Sequence, residues 1–122
     1  MAAKRAWVLV LGMSLVASSA ACTGSVCDRA EAVSKGLADK GAACRADGGL
    51  AAPDTFDKAK CEADVSACTQ ADLKIVNSDL DCVDRVAACV AGDDMGWLGA
   101  LMSCAQGYAA VTPDCLHATL SQ

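Results

Sequence analysis

The spacing of the cysteines constrains this chain more than any other feature. Nine cysteines occur in 122 residues, and two Cys-x6-Cys units, Cys61/Cys68 and Cys82/Cys89, lie close together in the sequence. A separation of seven residues equals two helical turns, which places both sulfurs of a unit on one face about 10.5 Å apart along the axis. A disulfide requires Cα atoms within about 7 Å. Each cysteine is therefore expected to pair with the other unit and not within its own.

Two antiparallel helices would bring these units together. Cys68 would then pair with Cys82 near the turn, and Cys61 would pair with Cys89 farther from it. The parallel alternative, Cys61–Cys82 with Cys68–Cys89, would require the link between the helices to run back along the hairpin. The antiparallel arrangement resembles the helical hairpins of the twin-cysteine proteins, and this resemblance implies only a geometry.

Local signals favour helices in both arms of this hairpin. Asp54 can begin the first arm, and Ser78 with Asp81 three residues later resembles a capping box at the start of the second. Apolar residues follow Ser78 at helical spacing, and Gly92 is a typical helix stop. The link at residues 70–77 is expected to add a short helical turn.

Two further helices are predicted outside the hairpin. Residues 26–40, capped by Ser25, and residues 95–106 both have apolar positions at helical spacing. Pro113 can begin a short C-terminal turn. The sequence therefore predicts an all-α fold, a small up-and-down bundle of about four helices stapled by disulfides, with the first and fourth helices as antiparallel neighbours.

Four cysteines remain to staple the outer helices. An antiparallel first and fourth helix would place Cys27 near Cys104 and leave Cys44 to pair with Cys115. The alternative, Cys27–Cys115 with Cys44–Cys104, is also compatible with the sequence. Aromatic residues are only 3% of the chain, so the core is thin and the domain should depend on its disulfides.

The N-terminal residues have the three parts of a secretory signal. Lys4 and Arg5 supply positive charge, residues 6–17 carry no charge, and residues 18–21 are small. The uncharged run is shorter than the roughly 20 residues that a membrane-spanning helix needs. We expect a signal peptide at 1–21, a lipidated N-terminus and tether at 22–25, and a disulfide-rich helical domain at 26–122.

Removal of the signal would make the protein more acidic. The signal contains two of the ten basic residues and none of the fifteen acidic ones, so the net charge changes from −5 to about −7. Such a charge disfavours nucleic acids and anionic lipid headgroups as partners. Membrane attachment is therefore expected to come from a lipid and not from the protein surface.

Cys22 directly follows the small residues Ser19, Ala20 and Ala21. This sequence resembles the lipobox of bacterial lipoproteins, although the family usually has Leu where Ser19 stands. The resemblance implies that Cys22 is acylated and becomes the first mature residue, and that Thr23, which is not Asp, directs the protein to the outer membrane. The eight cysteines that remain could form four bridges. The alternative is ordinary secretion or periplasmic release after Ala21.

The sequence contains no pattern typical of an enzyme or of a cofactor or metal site. His117 is the single histidine, and no Cys-x2-Cys pair occurs. Export also favours oxidised cysteines over zinc ligands. Asp93 and Asp94 are too small a cluster for calcium. We therefore expect no catalytic residue, no cofactor and no metal.

An apolar stripe in the fourth helix is the candidate contact surface for a partner protein. It covers more than one face of the helix, so some of its side chains could be exposed. The alternative interpretation is that Trp97 fills a core that is otherwise poor in aromatic residues, and this interpretation is favoured. The stripe consists of Met95, Trp97, Leu98, Leu101 and Met102.

The expected role is that of an envelope lipoprotein with a structural or protein-interaction function, attached to the membrane by its N-terminal lipid and to an unknown envelope protein. The composition, rich in Ala and Cys, resembles that of small lipoproteins from gliding and predatory soil bacteria, which implies surface contact or motility. The alternative is a carrier of lipids or other small apolar ligands, because cysteine-stapled helical bundles such as saposins and elicitins enclose such molecules.

Overall fold

The computed structural model describes residues 21–46 and 48–120, with side chains for residues 26–46 and 48–117. These ranges contain six α-helices and no strand, which confirms the all-α, disulfide-stapled fold. Residues 1–20 of the signal peptide predicted at 1–21 and the side chain of Cys22 lie outside the described parts. The helices are α1 (Ala21–Lys40), α2 (Ala42–Ala46), α3 (Lys58–Asp64), α4 (Gln70–Arg85), α5 (Asp94–Cys104) and α6 (Pro113–Leu120).

The first helix is longer than expected at its N-terminal end. Helix α1 ends at Lys40, as the periodicity predicts, but it begins at Ala21. Ser25 therefore lies inside the helix and does not cap it. Residues 22–25, which were expected to form a tether, belong to the first turns of α1, so the helix begins within one residue of the predicted lipid site.

Helix α4 begins earlier than the Ser78 capping signal indicates. Its N-cap is Thr69, whose hydroxyl accepts a hydrogen bond from the Asp72 amide, while the Asp72 carboxylate accepts one from the Thr69 amide. Residues 70–77, expected to form a short turn, are thus the first half of α4. The helix ends at Arg85, so Cys82 lies within it and Cys89 lies beyond its end.

The other Cys-x6-Cys unit is also divided between two conformations. Asp57, and not Asp54, caps α3, and its carboxylate accepts a hydrogen bond from the Lys60 amide. The helix ends at Asp64 and a 3₁₀ turn follows at Val65–Ala67. Cys61 is helical, whereas Cys68 has an extended backbone.

All eight cysteines of the domain are paired, but the predicted pairings are wrong. Because neither Cys-x6-Cys unit is one continuous helix, the symmetric hairpin with Cys61–Cys89 and Cys68–Cys82 does not form, and neither does its parallel alternative. The outer pairs Cys27–Cys104 and Cys44–Cys115 are also wrong, as is Cys27–Cys115 with Cys44–Cys104. The observed bridges are Cys27–Cys61, Cys44–Cys89, Cys68–Cys115 and Cys82–Cys104, with Cα–Cα distances of 5.8, 5.9, 4.5 and 5.5 Å.

The packing of α1 explains why the outer pairs differ from expectation. Helix α1 packs mainly against α4 and α3, and α5 is not its main neighbour as the up-and-down order suggested. Arg29 of α1 forms an ion pair with Asp81 of α4, and Lys58 of α3 forms one with Asp28 of α1. Cys27 therefore faces Cys61 of α3 instead of Cys104.

Among the described residues, most buried apolar side chains lie in two small clusters. The first contains Val26, Val65, Leu73 and Val76 around the Cys27 sulfur. The second contains Trp97 with the Cys44–Cys89 bridge. Gly41 approaches Trp97 so closely that a Cβ atom there would lie 2.9 Å from the indole ring, so a larger residue would displace this side chain.

Reduction is expected to unfold the domain. The bridges close loops with sequence separations of 34, 45, 47 and 22 residues. Loops of this size correspond to about 3–4 kcal/mol of stabilisation per bridge. Circular dichroism in excess dithiothreitol should show loss of helix, with the oxidised protein in the same buffer as control. Retention of the full helical signal at physiological temperature would contradict this dependence, and a peptide map of the oxidised protein would check the four pairs.

Candidate functional site

An apolar cavity of about 260 Å³ lies between α1, α3 and α4. It is partly open to solvent, and its volume is below the range of about 300–1,000 Å³ that is usual for drug-sized ligands. Ser34 and Tyr108 provide the hydroxyl groups of its wall. The lining consists of Val26, Ala30, Ser34, Phe56, Cys61, Val65, Cys68, Leu73, Val76, Leu80 and Tyr108.

Helical spacing brings these residues to one place. On α1, Val26, Ala30 and Ser34 recur every four residues and so lie on neighbouring positions of one face. Residues 73, 76 and 80 of α4 follow the three- and four-residue steps of a helix face in the same way. The small side chain of Ala30 leaves space where a larger residue would fill the interior. The cavity thus arises at a point where two helix faces meet without filling the volume between them.

Two disulfides form part of the cavity wall. Cys61 is bonded to Cys27 of α1, and Cys68 is bonded to Cys115 of α6. The Cys27–Cys61 bridge thus joins α1 to α3, and the Cys68–Cys115 bridge joins the end of the 3₁₀ turn to α6. The separation of α1 from α3 is therefore limited covalently as well as by packing.

A buried carboxylate lies next to the tyrosine of this wall. Asp79 of α4 is 7% exposed, and its Oδ2 atom has no hydrogen-bond partner among the described residues. A Cβ atom on Gly107, the residue before Tyr108, would lie only 3.0 Å from Asp79 Oδ1. Burial raises the pKa of the Asp79 carboxyl. Burial and the nearby Asp79 charge both raise the pKa of the Tyr108 hydroxyl.

Asp72, one turn into the same helix, has the opposite environment. Besides the Thr69 amide, its carboxylate accepts hydrogen bonds from the Thr112 amide at 2.9 Å and the Thr112 hydroxyl at 2.7 Å. The bonds from the Thr112 and Thr69 amides are the main cause that lowers the pKa of Asp72 to about 2. Asp72 thereby joins the start of α4 to the residue before α6.

The predicted contact stripe on α5 does not form one surface. Trp97 is buried, and its indole N–H donates to the Ala87 carbonyl at 2.9 Å. Leu98 and Leu101 pack partly buried against the same cluster. Met95 and Met102 are 80% and 73% exposed. Trp97, Leu98 and Leu101 therefore belong to the core, whereas Met95 and Met102 are exposed to solvent.

One group of potential metal ligands lies near the start of α5. Cys44 Sγ, Cys89 Sγ and an Asp94 carboxylate oxygen lie within 4.8 Å of one another. The two sulfurs are joined in a disulfide and offer no thiolate to a metal. Asp93 precedes α5 and is exposed, and His117 is exposed on α6. We assign no metal or catalytic role to these residues.

The cavity, Asp72 and Asp79 were not identified from the sequence. For Asp72 a signal existed, because Thr69-x-x-Asp72 has the spacing of a capping box. No sequence pattern indicated the cavity, because the position of its wall depends on which cysteines form disulfides with each other. Asp79 belongs, with Asp81 and Asp84, to a group of acidic residues that is typical of a solvated helix face.

No known protein family matches the chain, and no curated protein or solved structure shows significant similarity to it. Among residues 21–46 and 48–120, no helix combines the length and the apolar character that a membrane crossing requires.

Replacement of Asp72 by Asn is expected to lower the thermal midpoint at neutral pH, because an amide cannot accept all three donated hydrogen bonds. The folded pKa of about 2 lies below the ordinary value of 3.8. The stabilisation by Asp72 is therefore present above pH 3.8 and is lost as the pH falls through about 2. Thermal unfolding of both proteins from neutral pH to pH 2 measures this.

The exposed Asp39 of α1 supplies the control for this experiment. Asp39→Asn should change the midpoint much less than Asp72→Asn, since Asp39 is exposed. Parallel profiles of wild type and Asp72→Asn down to pH 2 would contradict the role assigned to this carboxylate.

Proposed function

We propose that this protein is an exported cell-envelope lipoprotein, held to the membrane through acylated Cys22, with a non-catalytic structural or protein-interaction role. The observation that carries the proposal is the pairing of the other eight cysteines. Since these form four bridges with one another, Cys22 is not needed for any disulfide of the domain. The small residues Ser19, Ala20 and Ala21 before it supply the processing signal.

The start of α1 supports a position close to the bilayer. Because the helix begins at Ala21, a lipid on Cys22 would be joined to the first helical turn with no extended linker. The lipid would have to provide the attachment, since the acidic chain would be repelled by anionic headgroups. By resemblance to other lipoproteins, Thr23 favours the outer membrane.

The exposed methionines of α5 are the contact surface that we propose for a protein partner. Met95 and Met102 are seven residues apart, so they lie on one side of the helix about 10.5 Å apart along its axis. Methionine side chains are flexible and polarisable and are enriched at protein interfaces. Surface contact or motility remains a proposal that rests on the compositional resemblance alone.

The intact mass of the protein from a bacterial host tests the anchoring. Wild type should begin at Cys22 and carry the added mass of acyl chains. Cys22→Ser should carry no acyl mass and should retain residues 1–21, because lipoprotein processing depends on the modified cysteine. Thr23→Ser is the matched control and should be processed like wild type. A mature wild-type protein with an unmodified Cys22 would disprove the proposal.

A second candidate function, binding of a small apolar ligand, is favoured by the cavity. Its volume of about 260 Å³ exceeds that of a dry engineered cavity of about 150 Å³ that accepts benzene. The hydroxyl groups of Ser34 and Tyr108 could orient a bound molecule. This function is compatible with a lipid anchor and would give the domain a small-molecule partner.

Replacement of Ala30 by Leu should separate the two functions. The added side chain would enter the cavity, raise the free energy of unfolding by about 1 kcal/mol, and remove any co-purified molecule seen by native mass spectrometry. Ala32→Leu, at an exposed position of α1, should do neither. Equal behaviour of the two variants would count against ligand binding and leave the anchoring proposal unaffected.

A further inference from the structure

Helix α4 carries two buried carboxylates whose environments differ. Asp72 receives hydrogen bonds from Thr69 and Thr112. Asp79 Oδ2 receives none from the described residues, although the residue is only 7% exposed. A buried polar atom without a partner costs about 1–3 kcal/mol, and more when it is charged. An unpartnered carboxylate oxygen at this depth is therefore a position at which a ligand donor would be favourable.

Asp79 lies close in sequence to residues that line the cavity. A Cβ atom on Gly107 would lie 3.0 Å from the Asp79 Oδ1 atom, and the next residue, Tyr108, lines the cavity. On α4, Asp79 is the immediate neighbour of Leu80 and lies three residues after Val76, and both of these residues line the cavity. The cavity therefore has an apolar wall with a tyrosine at one side, and the Asp79 carboxylate lies next to that side without being part of the lining.

The apolar wall, the tyrosine and the nearby carboxylate together favour some ligand headgroups over others. A carboxylate-bearing ligand such as a fatty acid would place a negative charge near Asp79 in a medium of low dielectric, which is unfavourable. A neutral hydroxyl could donate one hydrogen bond. An ammonium group could donate several, and it would also neutralise the charge of Asp79, so its hydrogen bonds would be stronger.

We infer that the cavity binds a small aliphatic amine, with the alkyl part among Val26, Val65 and Leu73 and the ammonium group on the side of Asp79 and Tyr108. This inference rests on the second proposed function, binding of a small apolar ligand. It assigns to Asp79 the role of a specificity-determining residue for that ligand. No covalent step is involved.

The single tyrosine of the chain allows a direct test. The oxidised full chain, purified in a non-ionic detergent and labelled with ¹³C-tyrosine, gives one tyrosine ring to observe. Octylamine, octanol and octanoate are titrated in turn at one fixed detergent concentration. Octylamine should shift the Tyr108 signals with at least about tenfold higher affinity than octanol, as expected for a charge-assisted hydrogen bond. Octanoate should leave the signals unchanged.

Two variants test whether the preference for octylamine over octanol depends on Asp79. Asp79→Asn should reduce octylamine affinity to that of octanol while octanol still binds, which also shows that the variant is folded. Asp39→Asn removes a charge from the exposed face of α1 and should leave the tenfold preference unchanged. This control separates a local contact from the general attraction of amines to an acidic protein.

The titrations can contradict the amine assignment alone or ligand binding as a whole. Equal affinities for octylamine and octanol in wild type, or a preference that persists in Asp79→Asn, would overturn the amine assignment and leave apolar-ligand binding in place. Absence of any Tyr108 shift with all three probes would overturn both. Neither result bears on acylation of Cys22, which the intact mass determines.

Discussion

Four disulfides carry the structural role that a large apolar core has in other domains of this size. Each joins elements that are remote in sequence: α1 to α3, α2 to the segment after α4, the end of the 3₁₀ turn to α6, and α4 to α5. The two apolar clusters contain mainly Val, Leu and Cys, and one Trp. Such small side chains bury little area, so packing alone would give modest stability. The sulfurs also serve as core atoms, since Cys27, Cys44 and Cys115 have no exposed surface.

The helices could be predicted from the sequence better than their boundaries. The end of α1 at Lys40, the region of α5 and the start of α6 at Pro113 follow from periodicity, glycine placement and proline chemistry. The start of α4 did not follow, because Thr69-x-x-Asp72 and Ser78-x-x-Asp81 are equally good local caps. The structure uses the first, where Asp72 gains the additional hydrogen bonds from Thr112. This choice depends on a contact forty residues away, which no local rule contains.

Helix ends inside both Cys-x6-Cys units account for the error in the hairpin pairing. Helix α3 ends at Asp64, before Cys68, and α4 ends at Arg85, before Cys89, so the presumed two-turn spacing does not apply to either unit. The geometric rule that like-facing cysteines seven residues apart cannot bond to each other was sound, and neither unit is bonded internally. The rule assumes that both cysteines of a unit lie in one continuous helix, and a helix end interrupts each of these two units. Trp97 could be assigned to the core from composition, whereas the exposure of Met95 and Met102 needed the helix orientation.

The disulfides also explain how a domain with so thin a core can keep a cavity. At about 24 cal/mol per Å³, a closed void of 260 Å³ would cost about 6 kcal/mol, comparable with the whole stability of many domains. The opening to solvent lowers this cost, because water can occupy part of the volume. The Cys27–Cys61 and Cys68–Cys115 bridges at the cavity wall restrict the unfolded chain by an amount of similar size. A cavity that apolar packing alone would tend to close can therefore persist between α1 and α4.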